Sequence, residues 1–300
     1  MIIKSNINLD LTINSGQTSQ PPWNFDNETY SNVVMVDSEP RIFQVKQSGD
    51  YLEFNHEDKK AISKLNYIFD LNFDLNKFYK YLDGHEELKD MSKFCKGLRL
   101  FLAPDPFECV ISSICSANNS IKRWTKSISQ IKQNWGNQHQ NYYTFPQSND
   151  LLNVYLDEEE EFNSSNISNI EECTHNLKNC GVGYRAPYMR KASELFTLEM
   201  DLSEISKMTY DEAFQTILEV PGVGPKVADC ILLYGFNFRQ AFPSDVWIKR
   251  IVSHLYFNGK DISVAKVREF GMEEFGKNEG YVQLYMFHYA RMSGLMKKLK

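Results

Sequence analysis

No two cysteines stand in a CxxC spacing: Cys95, Cys109, Cys115, Cys173, Cys180 and Cys230 are scattered through 300 residues. That usage fits reduced thiols in a reducing compartment and argues against a disulfide framework. Cys173, His175 and Cys180 lie near one another, but their spacing matches no common zinc site. No apolar run approaches the ~20 residues a membrane span needs. The N-terminal MIIKSNINLD has no long apolar core of the signal-peptide kind. These absences predict an intracellular protein with no membrane partner: cytoplasmic or nucleoid-associated in a bacterium, nuclear in a eukaryote. Internal repeats and long low-complexity tracts are also missing. So is an excess of basic residues. The formal charge is −6, which argues weakly against a nucleic-acid partner, yet the distribution of charge matters more than its sum. Much of the acid sits in Asp157-Glu-Glu-Glu-Glu161, which reads as a solvated loop, with a second polar loop from Asn163 to Asn169. Cations gather elsewhere: Lys122, Arg123 and Lys126; Arg185, Arg190 and Lys191; Lys249 and Arg250; Arg291, Lys297 and Lys298. A chain that is acidic overall can still present one positive face.

With 42% hydrophobic and 13% aromatic residues, the chain can bury a sizeable core. Residues 1 to about 55 read as strands. Ile7, Leu9, Leu11 and Ile13 alternate with polar residues, the period-two pattern of a half-buried strand. Val33-Val-Met-Val36, Ile42-Phe-Gln-Val45 and Tyr51-Leu-Glu-Phe54 follow between turn residues. From about residue 58 the pattern is helical: Ile121, Trp124, Ile128, Ile131 and Trp135 recur at steps of 3, 4, 3 and 4. Similar faces run through 106–118, 186–198, 209–218, 226–236, 245–257, 263–275 and 279–297. The expected class is α+β. An N-terminal antiparallel β-sheet domain (1–100) precedes a mostly α-helical region (101–300), and the segment 218–230 is a glycine hairpin between helices.

That hairpin carries the chemistry. In Leu218-Glu-Val-Pro-Gly-Val-Gly-Pro-Lys-Val-Ala-Asp-Cys230, Gly222 and Gly224 make a tight turn with bare N–H groups. Pro225 suits the first turn of a helix, where no N–H donor is needed. A glycine turn opening a helix is a natural phosphate cradle, and Lys226 sits inside it. A helix N-terminus disfavours an ammonium, so the position is expected to depress the lysine pKa and favour a nucleophilic amine. The hairpin alone leaves two readings open, a nucleophile or a lysine that only touches phosphate. Asp245 follows nineteen residues later in Phe242-Pro-Ser-Asp-Val-Trp247, at the start of the next helix. There it can cap the helix.

This segment resembles the helix-hairpin-helix DNA glycosylases. Two further stretches, Gly97-Leu-Arg-Leu-Phe-Leu-Ala-Pro-Asp-Pro-Phe-Glu-Cys-Val-Ile-Ser-Ser-Ile-Cys-Ser-Ala-Asn-Asn119 and Gly181-Val-Gly-Tyr-Arg-Ala-Pro-Tyr188, closely resemble the 8-oxoguanine DNA glycosylase/AP lyase family within it. The matches run in family order over about 97 to 257, with a weaker match around Gln283 and Phe287 and a three-residue one at Ser15-Gly-Gln17.

The resemblance implies a bifunctional base-excision-repair enzyme, a monomer acting on double-stranded DNA with 8-oxoguanine opposite cytosine. Lys226 would be the nucleophile and Asp245 its partner. The Gly16 carbonyl would accept the lesion's N7–H. Cys230 and Phe287 would sandwich the flipped base and Gln283 would read its Watson–Crick edge, with Trp247 beside them in the pocket. Asn118 would enter the duplex where the base has left, Arg123 and Arg185 would bond the orphaned cytosine, and Tyr184 would wedge into the stack. Gly222 and Gly224 would meet DNA phosphate. No redox or metal cofactor is required; the backbone carbonyls of Leu218, Val220 and Val223 would form a structural cation site at the hairpin. The four-cysteine run that holds an iron–sulfur cluster in some relatives is absent from the C-terminal region.

Two departures stand out. Trp247 replaces a histidine that many members have, and Ala290 replaces the acid that supports it. A glycosylase for another lesion and a non-catalytic DNA-binding module are the alternatives. Lys226 speaks against alkyl-specific relatives, and the missing cluster cysteines speak against pyrimidine-specific ones.

Overall fold

The computed structural model describes residues 1–152, 154 and 176–298. The acidic run at 157–161, the polar stretch at 163–169, and Cys173 and His175 lie outside the described residues.

The N-terminal part contains β1 (Ile2–Lys4), α1 (Leu9–Ile13), β2 (Asn24–Asp26), β3 (Thr29–Val36), β4 (Glu39–Ser48), β5 (Tyr51–Phe54) and α2 (Lys59–Ile68). The five strands form one antiparallel sheet in the order β1-β5-β4-β3-β2. The β3–β4 hairpin closes through Asp37 and Ser38, both at positive φ (51° and 66°), the two-residue turn whose twist matches its strands. The sheet buries Val34, Val36, Phe43, Val45, Leu52 and Phe54 against Leu9, Ile13 and the Ala61, Leu65 and Ile68 stripe of α2.

The alternation at 7–13 is not a strand. Asn8 accepts the Leu11 N–H at 2.9 Å and caps a short helix. Leu9, Thr12 and Ile13 then lie on one buried side at the 3- and 4-residue steps a helix requires. A capping side chain outweighs a strand-like alternation in so short a segment.

The remaining elements are helical apart from one small β-pair. They are α3 (Leu75–Asp83), α4 (Lys89–Phe94), α5 (Pro106–Ser116), α6 (Ile121–Trp135), β6 (Gln138–His139), β7 (Tyr142–Tyr143), α7 (Ser148–Leu152), α8 (Ala186–Leu198), α9 (Leu202–Ile205), α10 (Tyr210–Leu218), α11 (Pro225–Phe236), α12 (Val246–Tyr256), α13 (Val264–Glu274), α14 (Glu279–Met292) and α15 (Leu295–Lys298). They share a second core centred on α5 and α11, both buried over most of their lengths.

Polar ties cross between the two cores. The segment 15–20 runs buried between them. Gln17 bonds the Arg99 carbonyl (2.9 Å) and the Phe101 N–H (2.9 Å), as a strand neighbour would. Gln20 donates to the Leu102 carbonyl (2.8 Å) and accepts from the Trp23 indole (2.8 Å). Two buried carboxylates tie helices together. Asp229 of α11 takes Arg268 of α13 (2.6 and 3.1 Å) and the Tyr210 hydroxyl of α10. Asp70 takes Arg239 (2.6 Å) and Tyr281 of α14 (2.8 Å).

Glu108 of α5 is a different case. It is buried, its nearest cation is Lys132 of α6 at 3.8 Å, and its Oε1 has no hydrogen-bond partner. Burial pushes its pKa up, against the pull of Lys132, from the ordinary 4.5 to about 7. Below pH 4.5 both folded and unfolded chains hold this proton. Between there and about 7 only the folded chain does, so stability falls as pH rises through that window. Glu108→Gln, which keeps the shape, removes that dependence. Relative to the variant, the parent protein should lose about 3 kcal/mol between pH 4.5 and pH 7. Urea unfolding of both proteins at several pH values checks this; parallel pH profiles would exclude it.

Candidate active site

Helix α10 starts from a reciprocal cap, Thr209 and Glu212 each bonding the other's backbone N–H, and ends at Leu218. The chain turns through Val220 to Gly224 and re-enters helix at Pro225. Gly222 adopts φ +82°, and a Cβ there would lie 2.6 Å from Tyr188 Cγ, because the tyrosine ring of α8 lies against the turn. Gly224 is exposed, with nothing within 4 Å of where its Cβ would be, so its backbone is open to a ligand. The Val220 carbonyl accepts the Val223 N–H (3.0 Å).

Lys226 is in the first turn of α11 and half-buried; Cys230, one turn on, is buried. Asp245 caps α12: its Oδ1 accepts the N–H groups of Trp247 and Ile248, both at 2.9 Å, while its second oxygen takes part in neither bond. From α14 come Gln283 and Phe287. Gln283 is buried, donates to the Pro243 carbonyl (2.8 Å), and leaves its Oε1 unpartnered. From the N-terminal segment comes Gly16, at φ +86°, with Ile121 and Arg291 Nη1 occupying the space a side chain would need.

These residues surround one small cavity of about 40 Å³, lined by Gly16, Gln17, Thr18, Lys226, Cys230, Tyr234, Pro243, Asp245, Gln283 and Phe287. Of the seven residues expected as catalytic pair and base pocket, six therefore meet. Trp247 does not: only its N–H serves the site, and its ring is partly buried against the helical core. Thr18, Tyr234 and Pro243 are not singled out by the sequence patterns above. Tyr234 has a signal there, because Lys226, Cys230 and Tyr234 are four residues apart on one helical face.

The protonation of the lysine differs from expectation. Burial does push the Lys226 pKa down, but Cys230 and the Asp245 carboxylate push it up, and the balance lies above the ordinary lysine value. Burial holds the Cys230 thiol up despite Lys226 and Thr18 beside it.

A second cluster lies at the α5–α6 junction and the turn Gly183–Arg185. Asn118 has φ +50°, a strained value that asparagine tolerates better than most residues. Its Nδ2 donates to the Tyr184 hydroxyl (3.4 Å). Tyr184 is 58% exposed, a large aromatic in water. Arg123 is exposed at the start of α6. Arg185 is buried instead, stacked on Tyr184 at 4.4 Å. Its N–H groups go to the carbonyls of Ala117 (2.7 Å), Val182 (3.1 Å) and Asn118 (3.1 Å). The expected base-reading arginine is here mostly engaged with backbone.

Among the described residues no three His, Cys, Asp or Glu side chains are grouped to hold a metal ion, and no helix is long and apolar enough to cross a membrane.

The two hairpin glycines should respond differently to a methyl group. Gly222→Ala meets both positive φ and Tyr188 and should lose at least about 2 kcal/mol. Gly224→Ala should lose less than about 1 kcal/mol, the difference between glycine and alanine as helix cap. Denaturant midpoints measure both; equal losses would contradict the packing described.

Comparison with known proteins agrees with this geometry. Residues 1–110 match the 8-oxoguanine DNA glycosylase N-terminal domain, and residues 111–277 match the HhH-GPD superfamily of base excision DNA repair proteins. A probable N-glycosylase/DNA lyase of Methanothermobacter thermautotrophicus is 42% identical over 97% of this chain and 96% of its own. The Clostridium acetobutylicum 8-oxoguanine glycosylase/lyase, solved with double-stranded DNA carrying cytosine opposite 8-oxoG, superposes with TM-score 0.81 at 27% identity, covering 98% of both chains. A 3-methyladenine DNA-glycosylase of Archaeoglobus fulgidus shares the fold, with TM-score 0.76 at 22% identity over 98% of this chain and 99% of that one. By these matches the chain belongs to the HhH-GPD superfamily of base excision DNA repair proteins.

Proposed function

We propose that the protein removes 8-oxoguanine from duplex DNA opposite cytosine and then cleaves the abasic strand, as an N-glycosylase/DNA lyase. The observation that carries this reading is the convergence of Lys226, Cys230, Asp245, Gln283, Phe287 and Gly16 on one cavity. The unpartnered Gln283 Oε1 suits the N–H donors on a guanine Watson–Crick edge. The Gly16 carbonyl would accept N7–H of the lesion, where unmodified guanine offers only another acceptor. Cys230 and Phe287 would hold the faces of the base.

Lys226 Nζ attacks C1′, the bond from C1′ to the base breaks, and its electron pair leaves with the base, which is protonated. The C1′–O4′ bond then opens, the lysine nitrogen losing a proton and O4′ gaining one, to give the Schiff base; a C2′ proton is lost, the C3′–O bond breaks with its electron pair leaving on the 3′ phosphate, and hydrolysis of the imine returns the lysine. Asp245, anchored by its cap bonds, stabilises the positive charge on the sugar. Before attack the ammonium must lose its proton. A base filling the cavity displaces water and strengthens the burial effect that already pushes this lysine down.

Asn118, Arg123 and Tyr184 would occupy the duplex and face the estranged cytosine. Arg185 would act chiefly by holding the 117–118 backbone. Flipping costs a few kcal/mol, which these contacts must offset. Gly222 and Gly224 would present N–H groups to a phosphate. The carbonyls of Leu218, Val220 and Val223, neutral oxygen donors of the kind hard cations accept, can hold a cation there. The protein would work wherever the cell keeps its DNA.

Borohydride trapping tests the reading. A duplex with one 8-oxoguanine opposite cytosine should give a covalent adduct that an undamaged duplex does not. Lys226→Gln should bind the lesion duplex and form none. An adduct in Lys226→Gln, or none in the parent protein despite tight binding, would remove Lys226 from the mechanism.

A further inference from the structure

Among the described residues, the inward-lying guanidinium groups of Arg99, Arg185, Arg239 and Arg268 each make two or more hydrogen bonds. Arg268 is held by Asp229 and Tyr210, Arg239 by Asp70, and Arg99 by Asn6 and two carbonyls. Arg291 of α14 is half-buried and makes one hydrogen bond, from Nη1 to the Ser15 carbonyl at 3.0 Å. Its guanidinium lies 4.9 Å over the Phe287 ring. It forms no ion pair among the described residues; Asp245 is the carboxylate whose field reaches it, from beyond pairing distance. A cation drawn out of water without a counter-ion is costly. The planar fork of arginine suits two oxygens of one anion.

The position says which anion. Arg291 Nη1 would lie 3.1 Å from a Cβ on Gly16, so the group stands beside the Gly16 and Phe287 walls of the cavity. Its neighbour His288 is driven towards the neutral form by burial and by Arg291 itself. Ala290 is buried and Trp247 uncharged, so neither competes for an anion.

We infer that Arg291 binds a backbone phosphate flanking the flipped nucleotide, and that this phosphate is its missing counter-ion. The inference rests on the proposed lesion pocket. The alternative role for Arg291 is to fix Gly16 through the Ser15 carbonyl alone.

The two roles separate in a charge-deletion cycle. In the Lys226→Gln background, which leaves substrate intact, affinity is measured for an 8-oxoguanine:cytosine duplex. The duplex has either a natural backbone or a single neutral methylphosphonate at each phosphate flanking the lesion. Arg291→Met keeps an apolar stem against Phe287; Arg291→Lys is the second variant, and thermal melting reports folding of both. Arg291→Met should weaken binding on the order of tenfold and reduce the salt slope by about 0.9. At one flanking position, a methylphosphonate should weaken binding by a similar factor when Arg291 is present. It should cost the Arg291→Met variant nothing more, so that the two losses do not add. Additive losses at every flanking phosphate, with normal melting, would overturn the inference and leave Arg291 a support for Gly16. Borohydride trapping by the parent protein on the natural duplex is run alongside. Its absence would fault the lesion reading itself, whereas trapping with additive losses faults Arg291 alone.

Discussion

Two glutamine side chains hold the candidate site together. Gln17 and Gln20 satisfy backbone groups of residues 99–102 that would otherwise be buried without partners, and a buried backbone group left unpaired is costly. In doing so they fix the path of residues 15–20 between the sheet core and the helical core. Gly16 and Thr18 are thereby fixed against the hairpin helix and α14. Without that clamp the cavity would be a three-sided groove between α11, α14 and the loop before α12.

The buried carboxylates complete the frame. Asp229 joins the two hairpin helices to α13 through Arg268 and Tyr210. Asp70 joins the end of α2 to α14 and to Arg239, whose own carbonyl accepts the Gly280 N–H at 2.9 Å. Both networks pair their charges and bond their remaining oxygens, the condition under which a buried ion pair is tolerated. They set the distance between the lysine-bearing helix and the glutamine-bearing one. Rigid support of this kind is what a base pocket needs if it is to distinguish a lesion from guanine by one hydrogen. Glu108 and Lys132 show the contrast, a pair too far apart to neutralise the cost of burial.

Much of this was legible in the sequence because it depends on local rules. The helix faces of 121–135 and 225–236 follow from periodicity, and the hairpin follows from two glycines and a proline. Asp245 as a cap follows from its place before an apolar helix. What was not legible depends on which segments meet. Thr18 reaches the cavity because the glutamines on either side of it pin its segment. Trp247 misses it because its side chain packs against the helical core. The direction of the Lys226 pKa reverses because Cys230 and Asp245 are both brought to it by folding. The strand expected at 7–13 fails at a single capping asparagine. Arg185 looked like a surface cation but is drawn inward by three carbonyls that sequence cannot place.

The cavity is assembled from distant parts of the chain: Gly16 near its start, Lys226 and Asp245 in its last third, and Gln283 and Phe287 later still. Such contacts close late, because long loops must be ordered before they are rewarded. During synthesis Lys226 emerges before the helix that completes its pocket. A nascent or truncated chain would then carry the amine without the walls that select a damaged base. The walls of the pocket are complete only once α14, which supplies Gln283 and Phe287, has docked.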